Sequence, residues 1–384
     1  MIHRTRLAAA AALIPLAALV AACGSSSSSG TTPSSSTKAA PMQGAPLPSS
    51  PNSKPESLTE TGSSLLFPLF GTWSTAYQKQ FIDSSKNPIV TITTGSTGSG
   101  IGIADAATST VNIGASDAYL SSADTAKYPG LLNIALAISA QQVNYNLPGI
   151  KNLKLTGAVL AEVYSGKITT WNDPAIKKLN PGVPLPSMKI VTVHRADSSG
   201  DTFLFTSYLS AQDPSVWSQS NVNTTVSWPN APGALAETGN SGMVAGCAAN
   251  KGCIAYIGIS YLSKTQASGL GTASISNKAG NFLQPTPATI SAEANSFTAS
   301  TPTSEAISMI DGPAATGYPI VNYEYAIVQT TQTNATQAQD IRALLHWIVH
   351  TGQDPTTYLD AVDFQALPST VVSKSDALIS KIGS

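Results

Sequence analysis

Charge is what this sequence has least of. Asp, Glu, Lys and Arg make up 11% of its 384 residues, against about a quarter in an ordinary globular chain. No basic stripe runs through it, so nucleic acid is excluded as a partner. A net charge of −1 supplies no long-range field to draw in an anion, so any anion site must be local and built largely from dipoles. Histidine is scarce too, with four in the chain. There is no Gly-x-Ser-x-Gly elbow, no phosphate loop of the Walker type and no HExxH, which removes the usual signatures of hydrolases, nucleotide enzymes and zinc proteases. No repeat of fixed period occurs, which excludes solenoids and propellers.

Long apolar runs are also missing. The nearest is residues 7–20, broken by Pro15 and preceded by Arg4 and Arg6. It is shorter than the roughly 20 residues of a membrane span and fits the apolar region of a secretory signal. It closes on Val20-Ala21-Ala22-Cys23, a sequence that resembles the bacterial lipobox. Residues 1–22 are therefore expected to be a lipoprotein signal and Cys23 a lipid anchor, with two or more acyl chains needed for stable attachment. Removing Arg4 and Arg6 leaves 18 basic against 21 acidic residues, a balance of −3. From Cys23 to residue 57 the chain is Ser, Thr, Pro and Ala with almost no large apolar side chain. Such a segment cannot bury enough surface to offset ordering, and it reads as a tether with a reach of about 30–35 Å.

The two other cysteines sit in Gly246-Cys-Ala-Ala-Asn-Lys-Gly-Cys253. A close pair in a Gly-flanked loop of an exported chain predicts a disulfide between Cys247 and Cys253, contributing about 2 kcal/mol for so small a ring. The spacing matches no metal motif.

From residue 58 onward, strand-like and helix-like runs alternate. Residues 88–93, 189–193 and 323–328 are rich in β-branched or aromatic residues between breakers. Thr156 can cap a helix carrying Val159, Leu160 and Val163, and Ile341, Leu344, Leu345 and Ile348 form an amphipathic stripe. This alternation predicts an α/β fold with mostly parallel sheets, whose ligands bind where strands give way to loops and helices.

Three Ser/Gly-rich segments lie at such places: Thr61-Gly-Ser-Ser-Leu-Leu-Phe-Pro, Thr94-Gly-Ser-Thr-Gly-Ser-Gly-Ile-Gly-Ile and His194-Arg-Ala-Asp-Ser-Ser-Gly-Asp-Thr-Phe. Each sets small residues at a helix start, where free N–H groups and the dipole favour negative charge. Singly each is weak evidence, because Ser/Gly turns before helices are mostly plain caps. Together, and with Arg195, they point to an anion site. A fourth segment, Val111-Asn-Ile-Gly-Ala-Ser-Asp-Ala, adds Asp117. A carboxylate suits an anion site only if the ligand carries a proton to donate. Phosphate does and sulfate does not, and an unpaired buried acceptor rejects the wrong ligand strongly. Asp117 as a turn cap is the plainer reading.

These segments, together with Gly166-Lys-Ile-Thr-Thr-Trp-Asn-Asp-Pro, Leu179-Asn-Pro-Gly, Gly252-Cys-Ile-Ala-Tyr-Ile-Gly and Tyr318-Pro-Ile, carry a resemblance. In this order, over residues 58–384, the chain is similar to the phosphate-binding component of the phosphate-specific (Pst) ABC importer, in its actinobacterial lipoprotein form. The resemblance implies a two-lobed periplasmic-binding-protein fold of type II, each lobe a central mixed sheet flanked by helices. Lobe 1 would be residues 58–143 and 320–384 and lobe 2 residues 144–319, with crossings near 144–148 and 318–322. It implies that inorganic phosphate, as HPO₄²⁻ or H₂PO₄⁻, is captured between the lobes and delivered to membrane permease subunits by a monomer that needs no cofactor or metal. By position, Ser64 (or Ser63, since the first loop is one residue longer than in many relatives) and Leu65 would donate from the first loop and Ser99 from the second. Asp117 would accept the phosphate proton. Ser199 and Gly200 would bind at a helix start with Arg195 as cation, and Asp197 would orient that arginine. Asp201 stands where many relatives have Thr. It either accepts a second proton, the role we expect to contribute, or pairs with Arg195.

Two other readings remain at this stage: a binder of sulfate or molybdate, and a secreted phosphatase-like enzyme. His346 and His350 are spaced i, i+4, which can grip a metal, but they oppose the apolar stripe and no acidic residue lies between them. They are expected to be surface histidines.

Overall fold

A computed structural model describes residues 47–229 and 231–383. The lipobox at Cys23 and the tether as far as residue 46 lie outside the described residues. In the first part of the chain β1 (Glu56–Gly62) leads into α1 (Phe67–Gln80), β2 (Val90–Thr93) into α2 (Ser99–Ala107) and β3 (Ile113–Ser116) into α3 (Ser122–Lys127). The long strand β4 (Leu131–Tyr145) follows. Then come β5 (Lys154–Leu155), α4 (Gly157–Tyr164), α5 (Pro174–Leu179), β6 (Val191–Arg195), α6 (Gly200–Gln212), β7 (Leu235–Glu237) and α7 (Gly239–Ala249). They are succeeded by β8 (Cys253–Gly258), α8 (Leu262–Ala267), β9 (Gly271–Thr272), β10 (Ser274–Ser276), β11 (Phe282–Leu283) and α9 (Pro287–Phe297). The chain ends with β12 (Val321–Gln329), α10 (Ala335–His350) and α11 (Ser369–Ile379).

Local chemistry explains several of these elements. Thr156 caps α4 by accepting from the Val159 N–H at 3.2 Å, and Asn334 caps α10 by accepting from Thr336 and Gln337. The α10 stripe of Ile341, Leu344, Leu345 and Ile348 is fully buried. Cys247 and Cys253 are joined, their Cα atoms 5.2 Å apart, tying the end of α7 to the start of β8.

The strands follow one path, β2-β1-β3-β12-β4-β8-β6-β7, with β9 also on β4, and β11-β10-β5 form a separate small sheet. The outer pairs β1–β2, β1–β3, β6–β7 and β6–β8 are parallel. The middle, β3–β12–β4–β8, is antiparallel. The sheet is therefore mixed rather than mostly parallel, because β4 and β12 run between the two halves instead of belonging to a βαβ unit.

β4 pairs with β12 from Leu131 to Ala140 and with β8 from Gln141 to Tyr145. The change of partner falls between Ala140 and Gln141. Order begins inside the expected tether: β1 starts at Glu56, and the Asn52 N–H donates to Asp340 Oδ1 at 2.6 Å. Among the described residues no helix is long and apolar enough to cross a membrane.

Candidate functional site

The ends of β1 and β3 and the starts of α2 and α6 meet at Asp117, and the start of α7 joins them through Asn240, which bonds to Ser64 and Asp201. Asp117 follows β3 and is 2% exposed. Its Oδ1 accepts from the Ser63 hydroxyl, and its Oδ2 lies 3.3 Å from Ser99 Oγ, which in turn accepts from the Asp117 N–H. From the other half, Gly200 comes so near that a Cβ on it would lie 2.5 Å from Asp117 Oδ2 and 2.7 Å from Ser99 Oγ. No side chain fits there. Glycine is used at this position for close approach.

Ser63 also accepts from the Leu66 N–H at 2.8 Å. Ser64 turns to the second half instead, accepting from the backbone and side-chain nitrogens of Asn240 at 3.2 and 2.9 Å. Leu65 is fully buried, and its carbonyl accepts from Ser260 Oγ. The loops of the two halves touch directly, with the Gly100 N–H donating to the Ser198 carbonyl at 3.1 Å. Ser199 stands at the N-cap of α6 with its hydroxyl buried and without a partner among the described residues. An uncapped N-cap hydroxyl next to free first-turn N–H groups is a ready donor set for an anion.

Arg195, at the end of β6, is held on three sides. Its Nε donates to Asp197 Oδ1 at 2.7 Å, its Nη2 pairs with Asp197 Oδ2, and its Nη1 donates to Asp201 Oδ2 at 2.8 Å. Asp201 is fully buried and takes further hydrogen bonds from Gln141 Nε2 at 3.1 Å and Asn240 Nδ2 at 2.7 Å. Both of its oxygens are engaged within the protein. The geometry thus gives Asp201 the second of the two roles weighed above, a partner of Arg195, rather than the acceptor of a ligand proton.

Behind Asp117 lies a second carboxyl, Glu324 on β12, also fully buried. It accepts from Ser139 Oγ at 2.5 Å and Asn322 Nδ2 at 3.0 Å, while Asn322 also donates to the Asp117 carbonyl.

Two acids, Asp197 and Asp201, pair with Arg195, while Asp117 and Glu324 lie buried nearby, and their acidities move accordingly. Burial, reinforced by the charge of Glu324, raises the Asp117 pKa well above the usual range. Burial and the charge of Asp117 push Asp201 up to about 7 against the pull of Arg195. Burial pushes Glu324 to about 7. Desolvation alone would raise Asp197 as well, but its pairing with Arg195 holds it below its ordinary value. Such a cluster holds protons at neutral pH that an exposed acid would have lost.

All nine residues expected from the sequence to line the site are brought together here. The sequence reading missed Asn240, Gln141 and Glu324. Asn240 was the most accessible of these: Thr238-Gly-Asn-Ser-Gly is a fourth small-residue helix start, at α7. Gln141 and Glu324 lie inside strands among other buried polar residues, Ser139, Gln142 and Asn144 on β4 and Asn322 on β12, and nothing local sets them apart. His194 is half-buried and stacked on Trp228, ring centroids 5.0 Å apart, with burial lowering its pKa.

Comparison with known proteins fits this geometry. A PBP superfamily domain model matches residues 33–351. Phosphate-binding protein PstS of Haemophilus influenzae is 30% identical over 325 residues, covering 84% of this chain and 92% of the relative. Phosphate-binding protein PstS 3 of Mycobacterium leprae is 30% identical over 271 residues, covering 67% and 70%. In fold, the crystal structure of a phosphate binding protein from Stenotrophomonas maltophilia superposes with a TM-score of 0.65 at 20% identity, covering 84% of this chain and 93% of that one. The chain belongs to the PBP superfamily and, within it, to the PstS family of phosphate-binding proteins.

Proposed function

We propose that this protein captures inorganic phosphate between its two lobes and delivers it to the permease of an ABC importer. It would act as a monomer, held on the extracytoplasmic face by lipid on Cys23. The observation that carries the reading is Asp117, a buried carboxyl set among the Ser63 and Ser99 hydroxyls and the start of α6. Family membership supports phosphate as the ligand, and the Cys247–Cys253 disulfide supports an oxidising compartment.

The chemistry follows from proton count. HPO₄²⁻ brings a hydrogen that can lie between its oxygen and Asp117, while hydroxyls and N–H groups take its other oxygens. Sulfate brings none, so an ionised Asp117 meets it as an unpaired repelling charge. Because burial raises the Asp117 pKa, this discrimination depends on pH. Above that pKa the carboxylate repels sulfate, and below it the neutral carboxyl donates to either anion. Sulfate therefore gains on phosphate as pH falls.

Binding rather than catalysis is supported by the relatives, which are phosphate-binding proteins. At the site Ser63 and Ser99 bond to Asp117 and Ser64 to Asn240. Competition calorimetry tests the reading. Phosphate should bind one per chain, with sulfate a poor competitor at alkaline pH and a better one in acid. Equal competition at all pH values would sink the role of Asp117. Release of product from a chromogenic phosphate ester would sink the reading of a binder.

A further inference from the structure

His346 and His350, one turn apart on α10, share a face. The pair lies at the surface, as the sequence leads one to expect, but α11 packs beside it and sets Asp376 against both rings. His346 Nδ1 lies 3.1 Å from Asp376 Oδ1. His350 Nε2 lies 3.2 Å from the same oxygen and 3.1 Å from Asp376 Oδ2. The two imidazole centroids are 4.3 Å apart. One ligand atom from each residue can be chosen so that all three fall within 4.8 Å of one another. The acidic partner comes from 26 and 30 residues downstream, so no motif in the sequence announces it.

With metal–nitrogen and metal–oxygen bonds of about 2.0–2.2 Å, a tetrahedral zinc ion sets its ligands roughly 3.3 Å apart. The His–Asp separations already lie near that edge length. We propose that His346, His350 and Asp376 form a binding site for a divalent cation of the zinc class, which clasps α11 to α10. Two imidazoles favour zinc, cobalt, nickel or copper over magnesium and calcium, which prefer oxygen ligands. The three ligands leave a fourth position for water. His350, 45% exposed at its side chain, opens that position to solvent, while His346 and Asp376 are about a quarter exposed. In the metal-free protein the same carboxylate accepts hydrogen bonds from the two rings, and the cation replaces those bonds with coordinate ones. None of the three residues belongs to the anion site, so occupancy is read on the folding of the last helix rather than on phosphate.

The test uses the full chain without an affinity tag. Zinc chloride is titrated by calorimetry into the wild type, His350→Ala and Asp376→Asn, with cobalt absorption as a spectroscopic check of imidazole ligation. One zinc per chain is expected for the wild type, with affinity falling at least about tenfold in each variant. The thermal midpoint should rise with zinc in the wild type alone, as it must when a ligand binds only the folded state. Unchanged phosphate binding certifies that the variants are folded. Absence of zinc binding by the wild type overturns the proposal, and so does equal binding by folded variants.

Discussion

The two halves of the anion site handle charge in opposite ways. In the first, Asp117 is buried against another acid, Glu324, and its near partners are hydroxyls; among the described residues no cation of its own half pairs with it. In the second, Arg195 is buried against two carboxylates, Asp197 and Asp201, which neutralise it before any ligand arrives. One half is an acid whose ionisation burial opposes, and the other is a base kept from acting as a free charge. The difference teaches that neither half offers an anion strong Coulomb attraction. Selectivity then falls to proton placement on the first side, and holding falls to hydroxyls and helix N-termini supported by a fixed guanidinium on the second.

The sharpest way to break this picture is to remove the guanidinium. Arg195→Met leaves Asp197 and Asp201 without their cation, a loss that costs about 3–5 kcal/mol for a buried pair. Urea unfolding should show it, and a change under about 1 kcal/mol would mean the pairing is of little consequence. Next is the first half. Asp117→Asn replaces a proton acceptor with a donor, so the preference for phosphate over sulfate should fall by about a hundredfold, on the scale of a lost polar complement in a buried site. Calorimetry of both anions measures it, and an intact preference would move the selecting group elsewhere.

A smaller effect of opposite sign is expected for Asp201→Asn, which removes a carboxylate competing for Arg195. Phosphate should bind about tenfold tighter, on the scale of one charge-assisted hydrogen bond, while stability drops. Weaker binding would show that Asp201 serves the ligand after all. The remaining effect is read as a slope and concerns Glu324, whose pKa of about 7 lies above that of an unfolded glutamate. Between these two values the folded chain holds more protons than the unfolded one, so this contribution to stability is full in acid and is lost as pH rises toward 7. Glu324→Gln should flatten the fall of the thermal midpoint between about pH 5 and 7.5, by up to about 1.4 kcal/mol per pH unit for one group. An unchanged slope would return Glu324 to an ordinary carboxylate.

What the sequence disclosed was whatever is written locally. The Ser/Gly segments at 61–68, 94–103 and 194–203 announce strand-to-helix turns by composition alone, and the capping of α4 and the stripe of α10 follow from spacing. β4 was not recognised because Leu131-Leu-Asn-Ile-Ala-Leu-Ala-Ile-Ser-Ala is buried on both faces and shows no alternation. The pairing of Asp201 with Arg195 was weighed but not chosen, because only the folded register brings Gln141 and Asn240 to fill its remaining valences. Asp376 carries no local signal, because its partners lie 26 and 30 residues upstream. Local patterns name the elements; long-range partners decide what their polar residues do.

Gln141 shows where such a partner matters most. It is the first residue of β4 to leave β12 for β8, and its Nε2 donates to the Asp201 carbonyl and carboxylate. Its backbone is gripped by the returning segment, its N–H donating to the Ile320 carbonyl and its carbonyl accepting from Tyr318 Oη at 2.8 Å. Both passages between the halves therefore meet at a single peptide. In mechanical terms β4 is a bar fixed in two frames, and Gln141 is the rivet at their joint. The residue that marks the change of frame is the one that steadies Asp201, and through it the guanidinium.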